Sequence, residues 1–274
     1  VSITSQTLTR YQATFSGGAC GAWGGSGQAV TIAGDGTDSD ALADGCYQYR
    51  LHAVDDAGND ATVTTDLHVD HTAPTGGAVS TNGGAGGWTT SQQPLVSTAS
   101  FADAASGMDA GSETLVREHA AFAAGGGCTG VTYAGSAVVT LSGGRDADTL
   151  ADGCYRYVHT QADNAGNTTT TRATVFVDAT GPVSGALAIN GGDGTVTSAQ
   201  HPTVAVTDFV DHGSGIASQT LVRAQAPYAA GTCGTYGADQ AVTVAGDGTD
   251  SATLTSGCYR YRLQATDTLG ATAT

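Results

Sequence analysis

The sequence contains no lysine, two glutamates (Glu113 and Glu118) and five prolines. All nine cationic side chains are arginines, set against 25 acids, for a formal net charge of −16. A chain this acidic offers no basic patch for phosphate contacts, which argues against nucleic acid as a partner. Anionic membrane surfaces repel it as well. Without lysine, internal Lys–Asn isopeptide cross-links cannot form. No stretch approaches the roughly 18 apolar residues that span a bilayer, and no secretory leader is visible, so no membrane insertion is expected in this window.

Catalytic signatures are also missing. There is no GxSxG, HExxH or P-loop pattern. Two glutamates are a poor basis for the carboxylate pair of a glycosidase. The histidines are His52, His68, His71, His119, His159, His201 and His212, and none recurs at one place throughout the repeats described next. A converging polar site is therefore not expected, and the chain reads as a non-enzyme.

What the sequence does have is glycine and repetition. Glycine numbers 41 of 274 residues and hydrophobic residues make up 40%, enough for small cores surrounded by turns. The string LADGCYQYRLHAVDDAGN at 42–59 returns as LADGCYRYVHTQADNAGN at 150–167 and as LTSGCYRYRLQATDTLGA at 254–271. SQTLTR at 5–10 matches SETLVR at 112–117 and SQTLVR at 218–223. VDHTAPTGG at 69–77 answers to VDATGPVSG at 177–185. QPLVSTASFADAASGM at 93–108 aligns with HPTVAVTDFVDHGSGI at 201–216. A period of about 105 residues is one immunoglobulin-sized domain. The expected domains are 1–71, lacking its first strands, 72–178, complete, and 179–274, lacking its last strand. Val1 aligns near Ser106 and Ser214, and Thr274 aligns with Thr62, so the window is expected to be cut from a longer periodic protein.

The expected fold class is all-β: tandem Ig-like or fibronectin-III-like β-sandwich domains of about seven strands, with one intradomain disulfide per repeat. Short apolar/polar alternations bounded by turn residues predict half-buried antiparallel strands and almost no helix. In the middle repeat, strands are expected over 95–101, from 114, over 137–141 with Val139 and Leu141 facing one way, and over 155–162. Val175 and Val177 alternate in the last strand, as Val63, Leu67 and Val69 do in the first repeat. LxDGCY lies where an Ig-like domain carries its tyrosine corner, which makes Tyr47, Tyr155 and Tyr259 the candidates. Tyr49, Leu51 and Ala53 continue that face and are expected in the core. His159 and Gln161 replace the last two in the middle repeat and predict a hydrogen-bonded, locally polar core.

The pattern DGCYxY…DxAGN followed by VDxTAP resembles bacterial Ig-like repeat domains of giant secreted, adhesin-type surface proteins. The resemblance covers the whole chain three times, although Leu269-Gly270-Ala271 stands where the other repeats have AGN. It implies an adhesin shaft or stalk, whereas period and alternation alone imply only a β-sandwich array.

Six cysteines fall two to a repeat. Among fifteen pairings of six cysteines, only Cys20–Cys46, Cys128–Cys154 and Cys233–Cys258 give every repeat the same internal bridge. Zinc is the competing reading, but there is no CxxC and no recurring histidine nearby. Disulfides place the chain in an oxidising, extracellular or cell-surface compartment. Because Cys46 alternates with Gln48 and Arg50, it is expected on the more exposed face.

Two kinds of acidic cluster recur. The hairpin GDGTDSD carries Asp35, Asp38 and Asp40, answered by Asp146 and Asp148 and by Asp247 and Asp250, and reads as a solvated turn. The second kind lies near the repeat boundaries: Asp55, Asn59, Asp70, Asp103, Asp163, Asn167, Asp178 and Asp211. Turns of this kind offer carboxylates and carbonyls to calcium. No cofactor is required, and calcium at the boundaries is the candidate; Pro74 and Pro182 stiffen the same linkers without metal. Asn167-Thr168-Thr169 is a formal glycosylation sequon.

The expected function is a structural segment of an extracellular bacterial surface protein: stalk, adhesin shaft or filament. Its expected partners are neighbouring repeats of the same protein, with self-assembly into filaments as an extension. One alternative is an adhesive or carbohydrate-binding module, which would concentrate exposed aromatics; Trp23, Trp88, Tyr133 and Tyr236 are instead scattered. Another is a filament subunit completed by strand exchange between neighbours.

Overall fold

The structure, a computed structural model, describes residues 1–82, 84, 86–192 and 194–274. The described residues form short strands and turns, with no helix among them. The fold class is thus all-β, with several sheets and three disulfides in the chain. Packing divides the chain into two compact units. One comprises Val1–Ser80, Ser97–Val116 and Tyr157–Ala173; the other comprises Thr81–Val96, Arg117–Arg156 and Thr174–Thr274.

In the first unit, a four-stranded antiparallel sheet runs in the order Gly24–Ala29, Ile3–Ala13, Gly45–Asp55, Asp60–Val69. Its register sets Leu8 opposite Leu51, Arg10 opposite Tyr49, and Leu51 opposite Val63. The same unit holds most of a two-stranded sheet formed by Thr75–Thr81 and Val96–Ala102. There the Phe101 ring lies 4.8 Å from the His159 ring. It also lies so close over Gly77 that a Cβ on that residue would fall 2.2 Å from the ring. A side chain larger than hydrogen would displace the phenyl from this core.

In the second unit, the strands Ile216–Ala226 and Cys258–Asp267 pair antiparallel, flanked by Gln240–Ala241 and Thr272–Ala273. A hairpin-like pair, Ala186–Ile189 with Val204–Thr207, forms a separate two-stranded sheet. Strands of the middle repeat, whose residues are divided between the two units, form a five-stranded sheet ordered Ala134–Val138, Thr114–Ala120, Gly153–Ala162, Thr168–Val177, Gly87–Thr89.

The last pair of that sheet is parallel, Val175 facing Gly87 and Val177 facing Thr89, so the expectation of antiparallel pairing throughout is corrected here. The physical cause is a strand that changes sheets. After Thr75–Thr81 the chain bends at Asn82 (φ 47°), whose Oδ1 accepts the Leu95 N–H at 3.0 Å, and it continues at the edge of the other sheet. Asn190 (φ 46°) repeats the device with the Thr203 N–H. Asparagine is among the few non-glycine residues that tolerate this region.

Other expectations are corrected by burial. Tyr49 and Ala53 are only half-buried and Leu51 is 40% exposed, although the matching Tyr157, His159 and Gln161 are buried. Residues 1–70 contain no counterpart of the two-stranded sheet that overlies the later repeats. Val139 is buried while Leu141 is exposed, because the expected strand over 137–141 is interrupted: Ala134–Val138 ends before Leu141–Ser142 begins. Cys46 and Cys154 are fully buried, not on the exposed face. Each sits at the start of its strand, beneath the loop to which its sulfur is bonded.

His159 and Gln161 form the polar core expected of them. His159 Nε2 lies 2.9 Å from Glu113 Oε1, and Gln161 Nε2 donates to the Asp109 carbonyl at 3.3 Å.

Candidate metal centres

In the first centre, three aspartates converge from three separate turns. Asp163 opens the turn after its strand: its Oδ1 accepts the N–H groups of Ala165 and Asn167, both at 2.9 Å. Asp103 does the same at the end of Val96–Ala102, accepting from Ala105 at 3.0 Å and Gly107 at 2.9 Å. Asp70 ends Asp60–Val69 and accepts from Thr72 N–H and, through Oδ2, from Ser106 N–H at 3.1 Å. Asx turns of this kind fix one carboxylate oxygen and aim the other. The result is one ligand oxygen from each of Asp70, Asp103 and Asp163, all within 4.8 Å of one another.

The second centre repeats this arrangement with Asp178, Asp211 and Asp267, again within 4.8 Å. Asp211 Oδ1 accepts from Gly213 and Gly215, Asp267 Oδ1 accepts from Leu269 and Ala271, and Asp178 Oδ2 accepts from Ser214 N–H at 2.7 Å. The Asp178 carboxyl lies against bare backbone at Gly213, where a Cβ would sit 2.3 Å from its carbon.

The electrostatics of the two centres differ. Burial pushes the Asp178 carboxyl above the usual range, the negative charge of Asp211 adds to this, and the Ser214 hydrogen bonds do not offset it. Burial acts in the same direction on Asp70, but hydrogen bonds from Ser106 and Thr72 outweigh it and leave that carboxyl below its ordinary value.

The donor set fits a hard divalent cation. Calcium takes oxygen ligands at about 2.3–2.6 Å, so two oxygens on one ion lie no more than about 5 Å apart. Both aspartate triads satisfy that limit. Asp267 supplies a second sign: its Oδ2 is buried with no hydrogen-bond partner. An ionised carboxylate left so is costly unless something positive meets it. Arg156 pairs with Glu118 and Arg262 with Asp239.

Of the sequence candidates, Asp70, Asp103, Asp163, Asp178 and Asp211 are brought together, and Asn167 lines the first centre. Asp55 and Asn59 are not part of a triad. They form the same closed turn, Asn59 Nδ2 to Asp55 Oδ2 at 2.9 Å, but no group of three acids converges there among the described residues. Their counterparts gain partners from the preceding linker and early strand. Asp267 was missed because its AGN tail is altered, yet the aspartate itself is kept in the alignment.

Sequence reasoning also missed the role of the hairpin acids. Asp146 and Asp250 are buried, not solvated, and are held by Arg117 and Arg223; Arg10 holds Asp38 and Asp40 in the same way. The recurring arginine of TLxR and the recurring hairpin aspartate were the available signal. Each arginine also lies over the tyrosine of its GCY run: Arg10 over Tyr47 at 5.6 Å, Arg117 over Tyr155 at 5.9 Å and Arg223 over Tyr259 at 5.8 Å. Those tyrosine hydroxyls donate to the carbonyl four residues back: Ala43 and Ala151 at 2.8 Å, Thr255 at 2.9 Å.

The structure bonds Cys20 to Cys46, Cys128 to Cys154 and Cys233 to Cys258, with Cα separations of 5.7, 5.7 and 5.8 Å. Cys20, Cys46 and His68 also lie within ligand distance of one another. With the two sulfurs joined, that group has no thiolate to offer a metal.

No protein-family model and no curated protein matches the sequence. Among solved structures, the chain is similar to a tetra-tandem repeat in the extending region of a large adhesion protein. The identity is 20% and the TM-score 0.30, and the alignment covers 99% of this chain but 65% of that one.

Proposed function

We propose that this chain is a structural segment of an extracellular bacterial surface protein, a stalk or adhesin shaft. In this reading it comprises three Ig-like repeats, 1–71, 72–178 and 179–274, with calcium held at the passages between them. The observation that carries the proposal is recurrence of one stabilising kit. Each repeat has a disulfide of near-equal loop length, a tyrosine corner and an arginine–aspartate clamp. A chain that repeats the same fasteners from one domain to the next is organised to bear load along its length.

The proposed metal ligands are Asp70, Asp103 and Asp163 at one passage and Asp178, Asp211 and Asp267 at the next. Bound calcium would supply charge neutralisation and cross-linking of three turns. Aromatic side chains support a structural role over carbohydrate recognition. Trp88 packs on Phe122 and Phe176, and Tyr133 and Tyr236 stack on Arg156 and Arg260.

Single-molecule stretching tests the shaft. Each bridge locks 26, 26 or 25 residues out of extension. With thiol present, each unfolding step should lengthen by roughly 90 Å, at about 3.5 Å per residue. A single irregular rupture, or steps unchanged by thiol, would remove the reading.

A second reading, a filament completed by neighbours, is favoured by the exposed apolar row Leu51, Val63 and Leu67. Light scattering decides it: growth of the mass with concentration supports a polymer, and a constant monomer mass rejects it.

A further inference from the structure

The two aspartate triads share a scaffold but differ in what surrounds it. At the first, the Asn167 amide donates both to Asp163 Oδ2 at 2.9 Å and to the Asp70 carbonyl at 3.0 Å. Two residues on, Thr169 Oγ1 donates to the Pro74 carbonyl at 2.6 Å. These side chains satisfy the carboxylate and tie the linker that carries Asp70 directly to the strand that follows Asp163.

At the second triad, the matching positions are Ala271 and Ala273, and neither side chain has a donor. Both linker ties are gone, and Asp267 Oδ2, on a residue only 2% exposed, has no partner. One tie of the set survives: Thr268 Oγ1 reaches the Ser214 carbonyl at 3.0 Å, as Asn164 Nδ2 reaches Ser106. The loss therefore falls on the groups that face the linker.

We infer that the triads are unequal cation sites: Asp178, Asp211 and Asp267 form a calcium site on which local order depends, whereas Asn167 and Thr169 hold the first triad together without an ion. The inference rests on the calcium reading above and adds to it a hierarchy. Binding free energy is the difference between the loaded and empty states. At the second triad the empty state leaves a buried carboxylate oxygen unmet, so loading relieves a penalty that the first triad does not carry. Calcium, with its flexible coordination, suits three carboxylates from three turns better than magnesium, which demands a regular octahedron.

Amide hydrogen exchange on the 274-residue chain, with calcium chloride and then with chelator, tests this. Calorimetric titration with calcium chloride runs in parallel. Chelation is expected to speed exchange around 178–182 and 267–273 by ~tenfold or more, while 70–74 and 163–169 change by less than about threefold. Ala271→Asn should restore an amide donor to Asp267 and shrink the response at the second triad. Asn167→Ala should transfer chelator sensitivity to the first.

Equal responses at the two triads, with calcium bound, would overturn the hierarchy and leave the calcium reading intact. Absence of calorimetric binding together with no exchange change would overturn both. If the Ala271→Asn chain does not fold, Asn167→Ala alone decides: no gain of chelator sensitivity at 70–74 rejects the hierarchy.

Discussion

Leu51 and Leu263 occupy the same place in their repeats, each opposite another leucine, Leu8 or Leu221, on the neighbouring strand. Leu51 is 40% exposed and Leu263 is 6% exposed. The strands are alike; the covering layer is not. In the third repeat the pair Ala186–Ile189 and Val204–Thr207 is present, and residues 1–70 have no equivalent. Alternation along a strand tells which residues share a face, but only a second layer makes that face a core. Burial is thus a property of the sandwich, not of the strand.

The comparison can be pressed hardest at the arginine clamps. Asp250 is buried and Asp38 retains some contact with water. Arg223→Ala strands a buried carboxylate and should cost about 3–5 kcal/mol. Arg10→Ala should cost distinctly less, because solvent can partly replace the guanidinium. Urea unfolding of the two variants measures both, and equal losses would break the comparison.

The leucines themselves come next. Leu263→Ala should lose about 2–5 kcal/mol through the cavity it leaves. Leu51→Ala should lose under about 1 kcal/mol. Thermal melts of the two single variants would show the gap.

The disulfides should ignore the difference altogether. Their loops span 26 and 25 residues, so removing Cys20–Cys46 or Cys233–Cys258 as paired serines should cost about 3 kcal/mol in either repeat on the chain-entropy account. A much larger loss at one of them would show that packing, not loop closure, sets their contribution.

The smallest effect is acid sensitivity. Turn N–H donation from Asp40, the Tyr49 hydroxyl and Arg10 hold the Asp38 carboxyl below its usual range. Burial pushes Asp250 upward, but Tyr261, the Ala252 N–H and Arg223 outweigh it, so its value is also depressed. A carboxyl depressed by folding contributes stability that is complete above its unfolded value, about 3.9 for aspartate, and is lost as pH falls through the folded one. Urea midpoints should be level from about pH 7 to 5 and should fall below about pH 4 in both repeats.

Much of the architecture was legible because it repeats. Cysteine spacing pointed to the bonds that the structure contains, and the LxDGCY run marked tyrosines whose hydroxyls reach back to the carbonyl four residues earlier. The acidic positions near the boundaries were legible too, since turn-forming aspartates recur there. What stayed hidden depended on partners far along the chain. Asp38 and Asp250 look like hairpin residues until Arg10 and Arg223, about 30 residues away in sequence on the adjoining strand, are placed beside them. Asp267 keeps its carboxylate although the tail after it departs from the AGN of the other repeats, so the motif alone does not mark it. The burial of Cys46 ran against strand alternation, since a loop folds over the strand start and covers a position that the sheet alone would leave open.

The parallel edge pairing of Gly87–Thr89 with Thr168–Val177 carries a mechanical corollary. The first of these strands enters the middle repeat and the second leaves it, and both run in the same direction. Tension drawn through the polypeptide pulls them past each other lengthwise, so the rungs from Val175 to Val177 resist in shear, together. A hairpin pulled from its open end would unzip one rung at a time. The sheet switch at Asn82 thereby turns a short edge strand into a latch.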